Sequence, residues 1–307
     1  MAQVENRDPS RDYRVVPWTD LGTIPGLATL PGQTMAELEA ELKALPDGIW
    51  GVALVHGERV AATGLVVDRE IPSRGLRRLA QLTPDPGEPA EEVLRLVHWA
   101  EEDGQRLGAQ HLHVSLPREK KLSVLLQIRG YRLVETFLQL RQDGLLRRTP
   151  PLPDRVQERG IEAVDVDAFL AVSNEAFKNI PGSLPLTAAD WERLASSPEF
   201  FPDLVRVLVD PEGPIGFLRG TLAPDGKGEV EAIGVLTRAR GRHLGLYLLR
   251  RCEELLRSRG ATHVELFVAS SNSRAVKLYQ SEGYTVVLRH DMWGRKLDLE
   301  RAVSGRA

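Results

Sequence analysis

Apolar and polar positions alternate through Gly260-Ala-Thr-His-Val-Glu-Leu-Phe-Val268, the pattern of a half-buried strand, and 23 residues beyond Gly260 the pair Gly283-Tyr284 leads into another strand. The first half of the chain repeats this layout. There Gly108-Ala-Gln-His-Leu-His-Val114 reads as the strand, and Gly130-Tyr131, 22 residues after Gly108, opens a run to Leu138. Each is preceded by a hairpin pattern: Ile49 to Val55 turns at His56-Gly57 into Val60 to Val67, and Val205 to Val209 turns at Asp210 to Gly213 into Ile215 to Leu222. The order strand, helix, hairpin, strand, helix, strand, helix, strand occurs twice, so the chain reads as a duplicated α/β domain.

The helix that opens near Leu244 puts Leu244, Leu248, Leu249, Cys252, Leu255 and Leu256 on one face at steps of three and four, while Arg250, Arg251, Glu253, Glu254 and Arg257 fall elsewhere. Cys252 is therefore expected in the core, and Gly260 ends the helix. Pro150, Pro151 and Pro153 can continue neither a helix nor a central strand. They predict a linker at 149–154 between a domain at 1–148 and another at 155–307.

A length of 307 residues suits two domains that each bury a core. Lys plus Arg number 40 against 43 Asp plus Glu, a net charge of −3, which argues against a surface adapted to nucleic acid. No apolar run reaches the ~18 residues needed to cross a bilayer, so no membrane partner is expected. The segment MAQVENRDPSRDYR lacks a signal-peptide core, which makes the reducing cytoplasm the expected compartment. One cysteine rules out a disulfide framework, and the scattered histidines, even His111 and His113 on one strand face, have no further ligands, so no metal is expected. An internal duplication can replace a homodimer, which leaves a monomer compatible with the sequence.

Candidate chemistry concentrates in the second copy. Strand Val230 to Val235 runs through Leu-Thr-Arg-Ala into Arg240-Gly241-Arg242-His243-Leu244-Gly245, where the helix begins. No acidic residue stands between Glu231 and Glu253, whereas Arg238, Arg240, Arg242, His243, Arg250 and Arg251 all do. The free N–H groups of a helix N-terminus, its dipole and these cations favour a phosphate or pyrophosphate.

That loop is similar to the pyrophosphate loop Arg/Gln-x-x-Gly-x-Gly/Ala of the GCN5-related N-acetyltransferase (GNAT) superfamily, with His243 at the first glycine position and expected in an ordinary helical first turn. The superfamily's second motif, Asn-x-x-Ala-x-x-Leu-Tyr-x-x-x-Gly-Phe/Tyr, stands complete as Asn272-Ser-Arg-Ala275-Val-Lys-Leu278-Tyr279-Gln-Ser-Glu-Gly283-Tyr284. The resemblance implies an α/β (α+β) fold of two tandem GNAT-type domains, each a mixed, mostly antiparallel twisted sheet flanked by helices. It implies acetyl-CoA as acyl donor. Pantetheine would lie between splayed strands beside Ile233, Gly234 and Val235, with Gly234 making room for it. Its pyrophosphate would sit on Arg240, Gly241, Arg242, His243, Leu244, Gly245 and Leu246. Asn272 would contact pantetheine, and Tyr279 would also contact the donor and act as the acid for the leaving thiolate.

Transfer to an amine needs a base, because a lysine-like amine is neutral about once in two thousand at pH 7, a cost of about 4.6 kcal/mol. Glu229 and Glu231 lie two apart on one strand and so face one side. By the register of tandem members of the superfamily, Glu229 takes the position of the base, with Glu231 in reserve. In the first copy, Thr83 to Pro89 with Glu91 and Glu92 replaces the phosphate loop, Leu126 stands where Tyr279 stands, and Glu119 or Lys120 where Asn272 stands. The first copy thus reads as degenerate. The acceptor is expected to be a small-molecule amine, a peptide or protein amine being the alternative, with Asn174, Phe177, Asn179, Phe200, Phe201 and Asp203 as candidate contacts. A tandem module that binds acyl-CoA or a small ligand without turnover is the competing class.

Overall fold

The computed structural model describes residues 13–23, 45–144, 147–180, 183–197 and 200–297. The chain forms two compact units, one running to Val134 and resuming at His290, the other Glu135–Arg289. In chain order, the first contains β1 (Tyr13–Pro17), β2 (Ile49–His56), β3 (Arg59–Val67), β4 (Leu76–Pro84), α1 (Ala90–Arg106), β5 (His111–Pro117), α2 (Lys120–Ile128) and the start of β6 (Arg132–Gln142). The second contains the rest of β6, then β7 (Gln157–Gly160), α3 (Val166–Phe177), α4 (Ala188–Ala195), β8 (Val205–Asp210), β9 (Gly213–Leu222), β10 (Lys227–Val235), α5 (Leu244–Ser258), β11 (His263–Ala269), α6 (Ser273–Ser281) and the start of β12 (Thr285–Lys296). The repeated order read from the sequence is present in the second unit, and from the β2–β3 hairpin onward in the first, where the helix expected ahead of that hairpin lies outside the described residues.

Pairing within each unit shows why the boundary at 149–154 is not where the compact units divide. In the first, β1 to β4 are antiparallel neighbours, β4 runs parallel to β5, and β5 pairs antiparallel with His290–Lys296 of β12. In the second, β7 to β10 are antiparallel neighbours, β10 runs parallel to β11, and β11 pairs antiparallel with Phe137–Gln142 of β6. Each unit thus takes a strand from the other half of the sequence. Prolines mark a local break, but strand partners are chosen at long range, so no local pattern records this exchange.

In the second unit α5 lays Leu244, Leu248, Leu249, Cys252 and Leu256 against Leu218, Val230, Val264 and Leu266 of the sheet. Each such leucine contributes about 2 kcal/mol by leaving water. Glu253 is buried while Leu255 is only partly so, the reverse of the expected division of that face. Gly260, at φ 97°, closes the helix with its N–H donating to the Arg257 carbonyl. Phe169, Trp191 and Phe217 form a second core between α3, α4 and the sheet. In the first unit α1 buries Val93, Leu96, Val97 and Ala100 on β2 to β5.

Candidate active site

The site begins with a bulge. Val230 of β10 faces Gly220 of β9 and Ala232 faces Arg219, so Glu231 is the extra residue, and the parallel ladder to β11 ends at Val230 and Leu266. Beyond that point β10 leaves β11, as the expected splay requires. A cavity of about 700 Å³ opens here. It is lined by Ile233, Gly234, Val235, Arg240, Gly241, His243, Leu244, Gly245, Leu246, Asn272 and Tyr279, all candidates from the sequence; Arg242, Glu229 and Glu231 are not among its walls. Ser271, Arg274 and Leu278 join it from α6 and its approach, and Glu175 to Ile180 from the end of α3.

The N-terminus of α5 opens on this cavity without an acidic residue in its first turn. His243 is not part of that turn, contrary to expectation. It is the N-cap, in the left-handed region at φ 57° and ψ 14°, two residues after Gly241 at φ 84°. A side chain there costs about 1 kcal/mol, and glycine would relieve it. The cation cluster is also smaller than its count suggests. Arg238 pairs with Asp210 and Glu212, Arg250 with Glu282, and Arg251 with Glu158 and Glu254. Arg240 and Arg242 form no ion pair among the described residues, and Arg240 Nε donates to the Val235 carbonyl at 3.3 Å.

Gly234 does not make room for a ligand arm. A Cβ there would meet Phe217 at 2.4 Å and Ala176 at 2.8 Å, so the glycine admits the core packed behind the strand. Asn272 caps α6, its Oδ1 accepting from the Ala275 N–H at 3.3 Å. Tyr279 projects from the same helix to the cavity, its ring 5.9 Å from that of Tyr284. Burial pushes its phenol up to about 12. It is therefore fully protonated at neutral pH and able to donate.

Glu229 and Glu231 have different surroundings. Glu231 is ion-paired with Arg219 at 2.5 Å. Glu229, half-buried opposite Thr221 and Glu265, makes no hydrogen bond or ion pair among the described residues. Burial pushes its carboxyl up; Lys227 opposes this, and Glu231 and Glu265 add to it. It stands four residues before Ile233, about 13 Å along the strand at roughly 3.3 Å per residue.

Of the candidate acceptor contacts, Phe177 and Asn179 reach the cavity. The others are occupied elsewhere. Asn174 holds the Leu186 backbone, its Nδ2 donating to the carbonyl and its Oδ1 accepting from the N–H. Phe200 packs edge-on against Trp191, and Arg259 lies over Phe201. Asp203 accepts from Arg259, whose hydrogen bonds hold its carboxyl below the usual range. Among the described residues no group of acidic, His and Cys side chains could hold a metal, and no helix is long and apolar enough to cross a membrane.

Residues 170–284 match the acetyltransferase (GNAT) family. The chain is 30% identical over 289 residues to a mycothiol acetyltransferase of Streptomyces avermitilis, covering 87% of this chain and 94% of that one. The chain belongs to the GNAT acetyltransferase family. A mycothiol acetyltransferase of Beutenbergia cavernae is 29% identical over 231 residues, 68% of this chain and 77% of that one. The fold is that of a GCN5-related N-acetyltransferase from Sphaerobacter thermophilus, with a TM-score of 0.71, 22% identity and coverage of 94% and 96%. A tandem GNAT protein from the clavulanic acid biosynthesis pathway aligns with a TM-score of 0.63, 15% identity and coverage of 93% and 99%.

The two GNAT units can be compared position by position, because both parallel ladders begin alike, Leu76 opposite His111 and Lys227 opposite His263. Arg78 then holds the position of Glu229, and its guanidinium donates to Glu70 at 2.6 and 3.0 Å. Leu126, fully buried, holds that of Tyr279. Glu119, not Lys120, caps α2 where Asn272 caps α6, accepting from the Lys121 and Leu122 N–H groups. Glu91 and Glu92 occupy the first turn of α1. In this GNAT chain the first unit thus has neither the candidate base nor the candidate acid.

Proposed function

We propose that this acetyltransferase carries the acetyl group of acetyl-CoA to the primary amine of a small molecule, at one active site in the second unit. The observation that carries this reading is the cavity where the N-terminus of α5, the backbone of β10 and the protonated Tyr279 meet. Its size and donors suit the donor substrate: unpaired first-turn N–H groups with Arg240 for the pyrophosphate, and a strand edge left unpaired by β11 for the pantetheine amides. The first unit serves as support, since Arg78 and Leu126 stand in the decisive positions.

Glu229, through water, takes a proton from the acceptor ammonium, and the neutral nitrogen attacks the thioester carbonyl. The C–N bond forms and the C–S bond breaks; Tyr279 gives its proton to the departing sulfur, and the second proton that nitrogen loses as it becomes the amide passes through solvent and restores the phenol. Glu229 holds its proton more readily than an ordinary carboxylate because burial disfavours its charge, which brings it closer to the amine it serves. The name of the similar enzymes points to mycothiol's amine as the acceptor. Following CoA release with desacetyl mycothiol, amino sugars, polyamines and peptide N-termini tests this. Turnover with small amines is expected; turnover with peptides alone overturns the acceptor class, and no turnover with any amine overturns the reaction.

A further inference from the structure

Glu135 belongs to no motif and lies outside the cavity, yet its carboxylate is bonded to the segment that leads into α6. It stands in β6, 6% exposed. Its carboxylate accepts from the Thr136 N–H at 2.8 Å, the Ser270 hydroxyl at 2.9 Å, the Ser271 N–H at 3.4 Å and, closest of all, the Ser271 hydroxyl. The Ser270 N–H also donates to the Thr136 carbonyl at 2.7 Å. β11 ends at Ala269 and α6 starts at Ser273, so Ser270 and Ser271 are most of the link between them. The next residue is Asn272, the cap of α6, and Tyr279 lies two turns along that helix.

A buried carboxylate is costly to hold without such bonds, and with them it fixes every group that donates to it. A link of exposed serines would otherwise be free to sample other backbone states. Ser271, Asn272 and Tyr279 all line the cavity, so movement of this link would move both the cap and the phenol.

We propose that Glu135 is a positioning residue for acetyl transfer: by holding Ser270 and Ser271 it fixes the start of α6 and aims the Tyr279 hydroxyl into the cavity. This rests on the cavity being the acetyl-CoA site. The test is a double-mutant cycle on the full chain, with kcat and the acetyl-CoA Kd measured separately. Glu135→Ala should lower kcat by roughly tenfold or more, since small displacements of a reacting group are costly. Glu135→Gln keeps an accepting oxygen and should recover most of that loss. In the Tyr279→Phe background, Glu135→Ala should cost little further, because the group it aims is gone. Ser270→Ala, which removes one bond only, should shift kcat in the same direction by less, and serves if Glu135→Ala does not fold. Equal losses in both backgrounds, or unchanged kcat and Kd in Glu135→Ala, overturn the inference alone. A wild-type chain that neither binds nor turns over acetyl-CoA overturns the function reading and this inference together.

Discussion

Glu229 and Glu231 stand two residues apart on β10, one in the regular ladder and the other at the bulge: Glu231 is paired with Arg219, whereas Glu229 faces Thr221 and Glu265 without a partner. A base must be free to exchange protons, which an ion-paired carboxylate is less able to do. Glu229→Gln should therefore lower kcat/KM by on the order of 10²-fold, and Glu231→Gln by much less. The raised carboxyl of Glu229 also fixes the sign with pH. Wild-type kcat/KM falls as pH drops through a value above the ordinary carboxylate range, and the deficit of Glu229→Gln narrows at high pH, where the amine is already neutral. Equal losses in the two variants would assign the base elsewhere.

Tyr279→Phe removes the only phenol that lines the cavity among the described residues. Turnover should fall by on the order of 10²-fold with acetyl-CoA affinity nearly unchanged, because charge develops on sulfur only as the bond breaks. Calorimetry and steady-state rates on the same preparation separate the two quantities. A weaker Kd with unchanged kcat would make Tyr279 a binding residue.

His243→Gly relieves a left-handed side chain at the N-cap of α5. Stability in a denaturant titration should rise by about 1 kcal/mol or slightly less, after the extra freedom of glycine in the unfolded chain. Acetyl-CoA binding should hold or tighten. A tenfold loss, about 1.4 kcal/mol, would show that the imidazole itself carries binding.

Gly234→Ala forces a methyl group against Phe217 and Ala176. Overpacking of this kind costs about 1–3 kcal/mol, and α3, whose end lines the cavity, would be displaced. A fall in Tm together with weaker acetyl-CoA binding is expected. A neutral substitution would mean that the strand has slack behind it.

His113 supplies a stability prediction for the first unit. Its Nδ1 is buried without a partner, and burial, then Arg78 and His111, push the imidazole down to about 4. The unfolded chain takes up a proton near pH 6.5 and the folded chain resists it, so the contribution is complete above about 6.5 and lost as pH falls toward 4. His113→Gln should show a smaller drop in Tm than wild type between about pH 7 and pH 5. Equal drops would place the acid sensitivity in another group.

Features that depend on local spacing could be read from the chain alone. The 3.6-residue face of α5, the hairpins and the glycine after α5 all follow from neighbours a few residues apart, and so does the duplicated order of elements. Most cavity residues were legible for the same reason, since Arg240 to Leu246 and Asn272 to Tyr279 are two continuous stretches. The tertiary structure decided whatever depends on partners far along the chain. Only strand register makes Glu231 a bulge residue paired with Arg219, only the fold gives Asn174 and Asp203 to structural bonds, and only packing fills the space beside Gly234 with Phe217. The exchange of β6 and β12 between the units, and with it the carboxylate of Glu135 under the start of α6, joins residues more than a hundred positions apart. Such contacts are set by which surfaces bury each other in three dimensions, a selection to which local periodicity is blind.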